Sequence, residues 1–97
     1  MIEVSIHPAA EREYEEALRW YYERSPQAAE QFEAEFNKAV DAIAAGSTFY
    51  PAIDPVHRIV LVDRFPYQLV YRLDGQRARV VAVAHAKKRP GDWSRRN

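Results

Sequence analysis

Residues 67–86, YQLVYRLDGQRARVVAVAHA, decide the fold. Two runs rich in Val, Leu and Tyr flank Asp74-Gly75, and an Asp-Gly pair between such runs is the strongest short hairpin signal. Tyr67–Leu73 and Gln76–Ala86 are therefore read as antiparallel strands. With Asp74-Gly75 as a two-residue turn, Leu69 faces Val80, Tyr71 faces Ala78 and Tyr67 faces Ala82, which makes one face apolar. The other face then carries Gln68, Val70, Arg72, Arg77, Arg79, Val81, Val83 and His85, with Arg72 opposite Arg77. Directly opposed like charges destabilise a sheet. Either the long side chains splay into water at a cost of about a few tenths of a kcal/mol, or an anionic partner covers them.

Upstream, Arg58–Val62 reads as a third strand, separated from the hairpin by Asp63-Arg64-Phe65-Pro66. The segment 47–56, STFYPAIDPV, holds two prolines and reads as a loop. Before it, Ala29, Phe32, Phe36, Ala39, Val40 and Ile43 form a helical stripe closed by Gly46, and Ala10, Tyr14, Ala17, Leu18, Tyr21 and Tyr22 form another. Trp20 falls off that first stripe. Ser25-Pro26 ends one helix and caps the next, so the two form a hairpin. At the N-terminus Ile2, Val4 and Ile6 alternate with polar residues as in a half-buried strand, which needs a partner in the sheet. The order is β-α-α-β-β-β. The fold class is α+β: a helical hairpin packed on one face of a small, mainly antiparallel sheet.

With 97 residues the chain is one domain, 1–97, with a basic tail from about residue 87. Its hydrophobic content of 47% supports one modest core. The absence of cysteine excludes disulfides, thiolate catalysis and Cys-based zinc sites. No apolar run reaches a membrane span, and MIEVSIHP is not a secretory leader, so a cytoplasmic location without membrane contact is expected. The formal net charge of zero conceals a split: ten acids against four bases in residues 1–46, and ten bases against four acids in 47–97. Such asymmetry makes an anionic partner for the second half worth weighing against neutralisation within the fold.

Chemistry-bearing patterns are few. The three glycines are far apart, so no phosphate-cradling loop exists, and His7, His57 and His85 lack metal-ligand spacing. No metal or cofactor is expected. Glu11 to Glu16 reads as a solvated helix face. What remains is the cluster after the last strand, His85, Lys87, Lys88, Arg89 and Trp93, with Arg64. A histidine near neutrality, several cations and an aromatic ring suit RNA cleavage, and they equally suit an acidic protein segment.

Three segments, HPAAEREYEEALRWYYERSP, DRFPYQLVYRLDG and VVAVAHAKKRPGDW, resemble the RelE/ParE superfamily of toxins over nearly the whole chain. The resemblance implies a type II toxin–antitoxin module whose toxin is neutralised by a small antitoxin and targets either DNA gyrase (ParE-like) or mRNA on the ribosome (RelE-like). It implies no sequence-specific DNA binding by this chain. By the same resemblance, Arg64 stands where RelE-like nucleases place a transition-state arginine, while Arg89 and Trp93 fall in the segment holding a basic residue and a tyrosine. A ribonuclease here would use Arg64, His85, Lys87 and Lys88. Trp93 cannot perform a phenol's proton transfer, however, and residues 47–62 contain no lysine where those nucleases carry theirs. The long helical hairpin also fits the ParE branch better, so gyrase is the expected target. Arg72, Arg77, Arg79, Arg89 and Trp93 are expected to bind the antitoxin or the target.

Overall fold

The structure, a computed structural model, describes residues 2–46, 50–87 and 93–96. Its elements run β1 (Glu3–Ile6), α1 (Pro8–Arg24), α2 (Pro26–Ala44), β2 (His57–Leu61), β3 (Tyr67–Asp74) and β4 (Arg77–His85). The order and the helical hairpin match the sequence reading, with strand ends displaced by a residue or so. The sheet order is β1-β4-β3-β2, with β1 parallel to β4 and the other pairings antiparallel. No helix among the described residues is long and apolar enough to cross a membrane.

Local chemistry sets the helix ends. The His7 ring caps α1, its Nδ1 accepting the Ala9 N–H at 3.0 Å, with Pro8 in the first turn. Ser25 serves both helices: its N–H donates to the Tyr21 carbonyl at 2.7 Å and its Oγ accepts from the Ala28 N–H at 3.2 Å. Gly46, at φ 79°, ends α2 in the left-handed conformation that a side chain would resist. Phe32, Phe36, Ala39 and Ile43 of α2, with Ala10 and Ala17 of α1, pack on Val60, Leu69, Tyr71, Ala78, Val80 and Val83. Each large side chain buried there contributes about 1.5–3 kcal/mol. Tyr14, Tyr21, Phe65 and Tyr67 surround the Phe32 ring at centroid distances of 5.1–5.8 Å.

The β3–β4 register corrects the sequence reading twice. The turn is Gly75-Gln76, so Asp74 pairs with Arg77, Arg72 with Arg79 and Tyr71 with Val80. Gly75 has φ 62° while Gln76 is not left-handed, the arrangement of a type II′ turn, which wants glycine at its first central position. The expected Asp-Gly turn would place it second. This two-residue shift keeps every side chain of the first half on its expected face.

The second correction does not. Val80 pairs with Tyr71 and Ala82 with Val70, which leaves Val81 as a bulge. Beyond it the alternation of β4 inverts. Val83 joins the core beneath the helices, whereas Val81 and Ala82 join a second apolar cluster on the opposite face. His85, expected on that opposite face, lies instead on the helix side against the Tyr67 ring at 5.3 Å.

Candidate functional site

On the face away from the helices, one row of residues crosses all four strands. His57 of β2 pairs with Arg72 of β3, Arg72 with Arg79 of β4, and Arg79 with Ser5 of β1. The expected opposition of two arginines is therefore present, with Arg79 rather than Arg77 facing Arg72. Arg77 stands two residues along β4, across from Asp74. Together Ser5, Arg72, Asp74, Arg77 and Arg79 line an open cleft of about 420 Å³. The Arg79 guanidinium donates to the Ser5 Oγ at 3.1 Å. Among the described residues, Arg72 and Arg77 form no ion pair. Three guanidinium groups against one carboxylate give this cleft a net positive charge, chemically suited to anionic groups.

His57 ends the row and is buried, at 4% exposure. Its Nδ1 lies 3.0 and 2.9 Å from the two Asp54 carboxylate oxygens. Asp54 also accepts the N–H groups of Val56 and His57, at 2.8 and 2.7 Å. Partial desolvation pushes the Asp54 carboxyl up, but these hydrogen bonds outweigh it and hold the group below its usual range. An ionised Asp54 requires that Nδ1 carry the proton. The opposite ring nitrogen, Nε2, is buried and has no hydrogen-bond partner among the described residues. The histidine ring packs on Trp93 at 4.7 Å. In the sequence His57 is merely an isolated histidine; the tight Asp54-x-x-His57 spacing was the available signal.

Beside this row, Val70, Val81, Ala82 and Ile59 form an apolar platform under Trp93. Trp93 is 6% exposed. Its ring is packed within the fold, because the bulge turned two consecutive apolar residues outward and Trp93 covers them. The next residues of the tail continue the closure. Arg96 donates to the Glu13 carboxylate of α1 at 2.8 and 3.2 Å and to the Val81 carbonyl at 3.0 Å. Glu13 Oε1 in turn accepts the Val83 N–H at 3.0 Å. The polar groups around the bulge are met in this way by side chains from the two ends of the chain.

Of the other anticipated residues, those described lie in the β2–β3 turn and at the end of β4, which the Ala86 N–H joins by donating to the Pro66 carbonyl at 2.8 Å. Arg64 sits in the exposed β2–β3 turn with φ 72°, the only left-handed non-glycine among the described residues. Lys87 is exposed after β4, its N–H donating to the His85 Nδ1 at 3.2 Å. Lys88 and Arg89 lie outside the described residues. His85 opens onto a small cleft with Glu13, Glu16, Trp20 and Tyr67, on the opposite side of the sheet from the arginine row. No cluster of three or more His, Asp or Glu able to hold a metal occurs among the described residues.

Residues 4–90 match the family described as the ParE toxin of the type II toxin–antitoxin system parDE. Among solved structures, the chain is similar to one from the chromosomal ParDE toxin–antitoxin system of P. aeruginosa. That likeness has a TM-score of 0.65 at 18% identity, covering 88% of this chain and 96% of the other. No curated protein is significantly similar to it.

Proposed function

The chain belongs to the family of ParE toxins of type II toxin–antitoxin systems, and on that premise we propose that it arrests growth by inhibiting DNA gyrase and is held inactive by a cognate antitoxin. The supporting observation is the cross-strand opposition of Arg72 and Arg79 in an open cleft that also holds Arg77, a concentration of positive charge that suits an anionic partner. An acidic segment of the antitoxin laid over the far face would supply carboxylates to Arg72, Arg77 and Arg79 as charge-assisted hydrogen bonds.

The test has two parts. Expression of the chain alone should arrest growth, and co-expression of the neighbouring open reading frame should rescue it. Purified toxin should then lower supercoiling by purified gyrase. Cleavage of mRNA on stalled ribosomes, with supercoiling untouched, would assign the chain to the nuclease branch instead.

A further inference from the structure

Four-residue β1 pairs only with Arg77–Val80, the first half of nine-residue β4. From Val81 to His85 the outer edge of β4 has no strand beside it among the described residues. Its polar groups are met by side chains instead: the Val81 carbonyl by Arg96 and the Val83 N–H by Glu13. Ala86 donates its N–H to the Pro66 carbonyl, toward the β3 side. The alternation of backbone groups therefore directs the His85 N–H outward. Alongside this edge a cleft of about 260 Å³ opens between α1 and the sheet, lined by Glu13, Glu16 and Trp20 above and by Tyr67, Val83 and His85 below. Trp20 is half exposed, with the Arg24 guanidinium 3.8 Å from its ring centroid.

The geometry points to the Val81–His85 edge as the docking position of an extended antitoxin segment that carries an arginine or lysine on the side facing α1. This rests on the antitoxin reading above and names where one arm of that partner lies. An unpaired edge is a template for strand addition, which supplies main-chain hydrogen bonds for affinity and side-chain pockets for specificity. A strand laid there takes the Val81 carbonyl and the Val83 N–H for its own backbone and so releases Arg96 and Glu13 from them. Arg96, near the end of a surface tail, swings to water. Glu13 stays fixed on α1, and Glu16 one turn along adds a second carboxylate to the same cleft. The incoming residue that faces α1 must therefore be basic: its charge replaces that of Arg96, and its stem lies along Trp20. An apolar or acidic residue would leave both carboxylates without a cation. The arm thus differs in charge from the acidic segment expected over the arginine row.

The experiment titrates the labelled protein of the neighbouring open reading frame against the full toxin chain and three variants by fluorescence anisotropy. His85→Pro removes the outward N–H and leaves the pairing to β3 in place, which an unchanged circular dichroism spectrum and melting temperature verify. It should weaken binding about tenfold, the equivalent of one or two ladder hydrogen bonds. Glu16→Lys, at an exposed helix position, should weaken it by a similar factor through charge reversal alone, so the test survives if the proline variant misfolds. Arg96→Ala, which removes the competing side chain, should tighten it about threefold or more. Unchanged affinity of the proline and lysine variants overturns the edge assignment and leaves the antitoxin reading standing. Absence of binding by the wild-type chain overturns both. Self-association of the wild-type chain that His85→Pro abolishes, with antitoxin binding intact, gives the edge to a second copy and overturns the assignment to an antitoxin arm.

Discussion

Glu13 and Arg96, 83 residues apart in the chain, meet at 2.8 Å and together occupy the Val83 N–H and Val81 carbonyl beside the bulge in β4. The pair joins the acidic first half of the molecule to its basic second half. It is partly exposed, so its Coulombic part alone is worth less than about 1 kcal/mol. Its larger role is to satisfy backbone groups that the bulge leaves without a strand. Glu13→Gln keeps an acceptor for the Val83 N–H and should cost less than Glu13→Ala, which should lose about 1–2 kcal/mol in urea unfolding. A double-mutant cycle with Arg96→Ala should show coupling of about 0.5 kcal/mol or more. Full additivity would mean that the two side chains act separately.

Trp93 roofs the far-face platform and the His57 ring. Trp93→Ala should cost about 3–5 kcal/mol and expose Val70, Val81 and Ala82 to a hydrophobic dye. A variant that binds no more dye than wild type and melts at the same temperature would show that the tail does not hold the platform.

Arg72→Glu should separate stability from binding. It removes the like-charge opposition to Arg79, so thermal stability should rise by about a few tenths of a kcal/mol. Binding of the antitoxin should fall tenfold or more by calorimetric titration, because the cleft loses the cation that an acidic segment needs. Loss of both together would point to a folding role for Arg72 instead.

The His7 cap carries a pH signature. Desolvation, then the nearby charges of Arg79, Arg96 and Arg12, hold its pKa below the ordinary 6.5. The folded state therefore prefers neutral imidazole, whose Nδ1 must accept the Ala9 N–H. The stability from this group is fully present above pH 6.5 and declines as pH falls through that value toward the lower folded pKa. His7→Asp caps the helix with an ionised oxygen and should remove the decline between pH 7 and about 5, as read by melting temperature. His7→Ala should lose about 1 kcal/mol at neutral pH.

Alkaline unfolding should report Tyr14. Burial and then the Glu33 carboxylate push its pKa up to about 12. The protonated phenol is the folded form, so its contribution is complete below pH 10 and is lost as pH rises through 12. Tyrosinate absorbance that rises in step with loss of the circular dichroism signal is the expected outcome. Titration of all six tyrosines near pH 10 would overturn it.

The sequence by itself determined the elements and their order. The Ser25-Pro26 junction, the Gly46 stop, the apolar stripes of the two helices and the hairpin of β3 and β4 are local signals, and each acts through backbone geometry that neighbouring residues dictate. It also determined that arginines from two strands face one another away from the helices, since strand alternation alone places them. What only the tertiary structure decided begins at Val81. A bulge has no reliable local signature in an alternating apolar run, and one extra residue reversed the faces of Val83 and His85. It left His85 and Trp93, close in the sequence, on opposite faces of the sheet, gave Trp93 an apolar platform to pack on, and created the edge that Glu13 and Arg96 now hold. The packing of the His57 ring on Trp93 and the parallel docking of β1 beside β4 belong with these, because they depend on where distant segments come to rest.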